Sequence, residues 1–226
     1  MSKLTIRTIP FLLLLLLTNV KQASAQTGSV YFGVGSAIDS APTSSATATT
    51  PACPSQQIFD GVTDQCEAAP TMGGAFGVFG ADFMIKPHLG INGEYSFRFA
   101  QASYLSDAFI NVRPAFYDFN VIYQPTSGNS RIVPVVEGGI GGAKLSFYET
   151  QQSCLTSGTC INQSEFLTTS NHFQVHGAVG VKLYVKGSIF IKPQVDIHWV
   201  DNLNQQYGRN SVPEFTIAVG YTFGRQ

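Results

Sequence analysis

Nine residues near the C-terminus, Phe215-Thr216-Ile217-Ala218-Val219-Gly220-Tyr221-Thr222-Phe223, place a large apolar side chain at every second position. Between them Thr216, Ala218, Gly220 and Thr222 are small or weakly polar. A period of two sends these sets to opposite faces of a strand. An apolar face ending in aromatic residues suits lipid, and a small, weakly polar face suits a narrow lumen. Further stretches upstream repeat the alternation, for eight in all. The pattern predicts an all-β fold: an eight-stranded antiparallel up-and-down transmembrane β-barrel in a bacterial outer membrane.

The N-terminus reads as an address. Lys3 and Arg7 make a positive start, residues 11–17 an unbroken apolar run, and Ala23-Ser24-Ala25 a small-residue cleavage site. The run is too short to span a bilayer as a helix and has the layout of a secretory signal peptide. Residues 1–25 are therefore expected to be removed, with residues 26–226 forming one barrel domain. Downstream no apolar run reaches helical spanning length, so crossing a membrane requires strands. Only 12% of residues are charged, against 22 Gly, 17 Phe and 9 Tyr, as suits a wall in lipid. The net charge of −1 gives no reason to expect nucleic acid.

The first stretch is expected over 29–38 and the second over 73–85, with Phe79, Ala81, Phe83 and Ile85 outward and Asp82 inward. Lys86-Pro87-His88 turns the chain into a third stretch, with Leu89, Ile91, Tyr95, Phe97 and Phe99 outward. The fourth, 109–123, loses phase at Phe116-Tyr117 near Pro114, which predicts a β-bulge. The fifth, 132–148, holds Gly138-Gly139-Ile140-Gly141-Gly142, a site for sharp curvature. The sixth and seventh, 172–185 and 189–200, flank Lys186-Gly187-Ser188.

Two long connections are expected, at 39–71 and 149–171, both on the outer side by strand parity. All four cysteines fall in them: Cys53, Cys66, Cys154 and Cys160. Four cysteines allow three connectivities. Local pairing, Cys53–Cys66 and Cys154–Cys160, closes one loop each, and neither pair has the spacing of a zinc knuckle. No residues beyond 226 are present to bind peptidoglycan, so cell-wall anchoring is not expected.

In pattern, the chain beyond the leader resembles the OmpA/OmpX-like group of small outer-membrane proteins. Its last stretch resembles that group's terminal assembly signal through Thr216, Tyr221 and Phe223, but carries Ala218 where Gly is usual and Gly224-Arg225-Gln226 after the final aromatic. The resemblance implies a barrel, contact with outer-membrane lipid, and delivery to the barrel-assembly machinery through the C-terminal strand. It leaves the activity open.

The positions assigned inward carry Asp82, Glu94, Asp118, Glu137, Asp196 and Glu214 against Arg98, Arg113, Lys144, Lys182 and Lys192. An eight-stranded barrel is just wide enough for side chains to fill it. Buried charges are costly without partners, so this nearly balanced set is expected to form a salt-bridged plug rather than a pore. Strand pairing is expected to set Asp82 beside Glu94, with Arg98 and Arg113 as partners, and Glu137 near Lys182. As an acid/base dyad Asp82 and Glu94 are the weaker reading.

His172 and His176 lie about 13 Å apart on a strand and cannot share an ion. The turn at residues 186–188 brings His176 beside His198, which suits a polar lining pair better than a metal site lacking further ligands. Ile197-His198-Trp199-Val200-Asp201-Asn202 resembles the active-site strand of the lipid A 3-O-deacylases, which carry His-x-Ser-Asn there. Here Val200 replaces the serine and cannot act as a nucleophile. No cofactor, metal or catalytic residue is expected. The expected role is non-enzymatic, structural or surface-interacting, with a ligand for the outer loops. A narrow channel or small-ligand binder is the alternative, and a lipid-modifying enzyme comes third.

Overall fold

The computed structural model describes residues 27–38, 52–53, 57–60, 64–68, 71–104, 110–126, 130–154, 160–203, 207 and 210–224. The segment expected to be a leader, 1–25, and much of 39–71 lie outside them. The strands are β1 (Gly28–Ala37), β2 (Gln57–Asp60), β3 (Gln65–Ala68), β4 (Gly74–Lys86), β5 (Leu89–Arg98) and β6 (Ala102–Ser103). They continue as β7 (Ile110–Tyr123), β8 (Ile132–Cys154), β9 (Cys160–Lys186), β10 (Ile189–Val200) and β11 (Ser211–Phe223).

Eight long strands close into a ring. The order β5-β4-β1-β11-β10-β9-β8-β7 is completed by β5 pairing with β7, while β6 extends one rim and β2 pairs only with β3. The first and last strands of the barrel run antiparallel from Gly28↔Phe223 to Ala37↔Glu214. Closure leaves no strand edge in lipid, which has no water to satisfy one.

The alternation sorts the two faces as the sequence suggests. Phe32, Phe79, Phe119, Val179, Trp199 and Val219 are exposed on the outer wall, each more than half accessible. The turns at residues 87–88 and 187–188 are where they were expected, and Gly187 has a φ of 56°, a left-handed conformation suited to glycine.

Three expectations change. β7 has no bulge: its register runs unbroken against β5 and β8, with Phe116 buried inside and Tyr117 outside. The apparent loss of phase came from an aromatic residue facing inward. Residues 149–171 are not an open loop. β8 and β9 stay paired as far as Cys154↔Cys160, so a two-stranded ribbon continues past the ends of β7 and β10. Beyond the last β7 pair, Ile110↔Glu149, the ribbon covers residues 150–154 and 160–164 and extends about 15 Å at ~3.3 Å per residue. The register shifts at Phe147/Tyr148, and residues 163–169, Phe166 and Leu167 among them, are exposed on both faces. Finally, Arg113 and Lys144 line the outer wall with Tyr95, Phe97 and Tyr148, not the lumen.

Cys53 and Cys66 form a disulfide with a Cα–Cα distance of 5.6 Å, clipping the first long connection as expected. Cys154 and Cys160 are backbone partners in the ribbon, although their side chains lie outside those described. Non-reducing peptide mapping of the exported protein should recover both local pairs and no free thiol. A Cys53–Cys154 cross-link would instead tie the first connection to the ribbon.

Candidate functional site

The lumen is layered. Toward the rim that carries the long connections, Met72, Phe76, Val112, Phe116, Leu145, Val200, Leu203, Tyr207 and Val212 form a buried apolar cluster. At the terminal end smaller clusters form around Tyr31, Val78, Phe190 and Ala218, and around Met84, Ile122 and Val135. Below the rim cluster, and interleaved with the smaller ones, lies a polar layer containing all six carboxylates expected inside: Asp82, Glu94, Asp118, Glu137, Asp196 and Glu214, each buried.

Their partners differ from those expected. Of the five cations assigned to the interior, only Lys182 and Lys192 lie in this layer, each 1% exposed. Lys182 Nζ donates to Asp82 Oδ2 at 2.7 Å and to Ser29 Oγ at 3.1 Å. Lys192 Nζ donates to Glu137 Oε1 at 2.7 Å, lies 4.0 Å from Glu94 Oε2 and sits 4.2 Å over the Tyr31 ring. Asp82 therefore does not pair with Glu94: its cross-strand neighbour is Asn92, and Glu94 accepts from the Tyr31 hydroxyl at 2.6 Å. Glu137 meets Lys192 rather than Lys182. Arg98 stands half-buried at the rim and donates to Thr71 O at 3.2 Å.

His176 and His198 are cross-strand neighbours, as the turn implied, with ring centroids 4.8 Å apart. Phe116 stacks on the other face of His198 at 4.3 Å, so the imidazole marks the boundary between apolar cluster and polar layer. His176 Nδ1 lies 2.9 Å from Asn120 Oδ1 and its Nε2 3.2 Å from Asp196 Oδ1. His198 Nδ1 lies 3.7 Å from Asp118 Oδ2 and its Nε2 3.4 Å from Glu214 Oε2.

The glycine run of β8 makes this layer possible. Gly139 and Gly141 face inward between β7 and β9, opposite His176 and Gln174. A Cβ on Gly139 would strike the backbone and side chain of Asn120, and one on Gly141 the Tyr117 carbonyl and the Asp118 carboxylate. Without those carbons, β9 side chains reach across β8 to β7: Gln174 Nε2 donates to Asp118 Oδ1 at 2.7 Å, as His176 meets Asn120. Gly141→Ala should lower barrel stability by about 1–3 kcal/mol in urea unfolding, since the clash is with backbone. An unchanged midpoint would mean that β8 can shift.

His198 points into the lumen, and Val200 is wholly buried in the apolar cluster, so neither reaches the lipid face. The sequence reading did not pair Ser170 with His172 at the rim: Ser170 Oγ lies 2.7 Å from His172 Nε2, and His172 Nδ1 lies 3.2 Å from the Asp201 carbonyl. Two residues apart on one strand face, they meet by the period of two.

No family model matches this sequence, and no curated protein matches it as a relative. Solved structures do match it in shape. Neisserial surface protein A superposes with a TM-score of 0.52 at 12% identity, over 90% of this chain and 100% of that one. The outer membrane protein OprG of Pseudomonas aeruginosa gives 0.53 at 12%, over 88% and 97%. A major outer membrane protein from Thermus thermophilus gives 0.53 at 11%, over 88% and 100%. The fold is that of the small outer-membrane β-barrels. It agrees with the OmpA/OmpX-like resemblance of the sequence, and at these identities the likeness concerns architecture alone.

Proposed function

We propose that this protein is a non-enzymatic outer-membrane barrel with a closed lumen, acting through the surface at its ribbon-bearing end. One observation carries the reading. The charged layer lies buried beneath the apolar cluster of the rim, and its two lysines are 1% exposed. A conducting lumen would keep its charges hydrated, because unpaired charges are costly away from water. The even strand count puts both barrel ends on one side, the periplasm, and the β8–β9 ribbon and the clipped first connection outside the cell. Those two features offer the contact surface for an external ligand. The leader directs export, and β11, which closes the ring against β1, is the strand the assembly machinery would receive.

The barrel, purified and reconstituted in planar bilayers, should show little steady conductance. A large stable conductance from the intact chain would overturn the closed reading and favour a narrow channel. Replacing residues 150–164 with a short turn should leave the lumen closed, because the paired charges lie below the ribbon.

A further inference from the structure

Lys182 and Lys192 answer Asp82 and Glu137. Three further buried carboxylates, Asp118, Asp196 and Glu214, face only the two imidazoles as cationic partners among the described residues. Each accepts one neutral donor, Asp118 from Gln174 at 2.7 Å, Glu214 from Ser96 at 3.1 Å and Asp196 from Gln194, but their contacts with the imidazoles are not finished hydrogen bonds. Neither ring nitrogen of His198 makes one, although the residue is 1% exposed. Its carboxylate neighbours stand at 3.4 and 3.7 Å, beyond ordinary N–H···O contact. Asp196 Oδ2 and Glu214 Oε1 are likewise buried without a hydrogen bond.

His176 shows which atom is available. Asn120 donates its amide to Asn92 Oδ1 at 3.1 Å, so its own Oδ1 is an acceptor and His176 Nδ1 carries the hydrogen. In the neutral ring, Nε2 then aims a lone pair at Asp196 Oδ1, acceptor against acceptor, at 3.2 Å. A proton on His176 would close that contact alone and leave both nitrogens of His198 as they are. A single positive centre between the two rings would answer His198 and the free nitrogen of His176 together, with Asp118 and Glu214 beside it.

We propose that the polar layer binds one divalent transition-metal ion of the zinc class through His176, His198 and Asp118, with Glu214 beside His198 as a further donor. The ligand atoms of Asp118, His176 and His198 all lie within 4.8 Å of one another. Bonds of about 2.0–2.2 Å in a tetrahedral shell need donors about 3.3 Å apart, so the widest separation closes by roughly 1.5 Å. Two imidazoles with carboxylates select zinc-class ions over magnesium or calcium, which take oxygen shells, and the lack of thiolate disfavours copper(I). The hydrogen bond that His176 Nδ1 donates to Asn120 Oδ1 is the outer contact that orients a ligating imidazole. Phe116 shields the site from the rim, so the ion would enter as the barrel folds and then stay.

The full mature chain should be folded into detergent micelles with zinc(II), dialysed against a chelator, and analysed for metal. About one zinc per folded chain is expected, with nitrogen and oxygen neighbours in X-ray absorption. Asp118→Asn and His198→Ala should each retain roughly tenfold less zinc or worse, while His172→Ala, at the rim, retains it all. A folded wild-type barrel that ends free of zinc would overturn the proposal. So would folded His198→Ala retaining the full equivalent, which would mark an adventitious site elsewhere. Should the substituted chains not fold, wild-type barrel folded with cobalt(II) decides: tetrahedral visible bands support the site, and a colourless folded barrel refutes it.

Discussion

Lys182→Ala is expected to destabilise the barrel by about 3–5 kcal/mol, read from urea unfolding of the protein in lipid or detergent. The ammonium is 1% exposed and donates to Asp82 at 2.7 Å and Ser29 at 3.1 Å, with the Phe190 ring 5.0 Å away. Removing it strands Asp82, whose charge has no water to turn to, and breaking a buried pair from one side costs that much. Replacing both partners with apolar residues, Lys182→Met with Asp82→Leu, should recover most of the loss, because it removes the stranded charge as well as the pair. Lys144→Ala is the contrasting control. Lys144 is exposed on the outer wall, so the change should stay within about 0.5 kcal/mol. Equal losses for Lys182→Ala and Lys144→Ala would refute the layered lumen.

Phe116→Ala is expected to cost about 3–5 kcal/mol through the cavity it leaves. Phe116 is wholly buried, stacks on Phe76 at 5.9 Å and covers His198 at 4.3 Å. The ring walls of a closed barrel cannot collapse far into the void, since each strand is held on both sides. Phe79→Ala on the lipid face should lose much less, because lipid chains refill the space. A loss at Phe116 no greater than at Phe79 would place Phe116 on the outer wall and restore the bulge first expected in β7.

The site was partly legible before any fold was known. A turn at residues 186–188 and a period of two suffice to bring His176 and His198 together, because both are local rules. The same rules put the six carboxylates inside. Parity errors entered where the pattern blurred. Arg113 lies five residues before Asp118, and Lys144 seven after Glu137. These odd separations put the members of each pair on opposite faces of an unbroken strand. An inward Phe116 imitated a slipped phase in β7, and the glycine run hid the count in β8.

The alternation by itself determined that the chain makes strands and, wherever its phase was unblurred, which side chains meet lipid and which meet the lumen, since strand periodicity acts over two residues. Only closure decided which inward groups touch. Lys182 meets Asp82 across 100 residues of sequence, and Lys192 meets Glu137 across 55, because strand tilt and shear set what faces what across the bore. The apolar cluster over the polar layer arose the same way, from single inward residues that look like noise on each strand and pack only when the ring is closed.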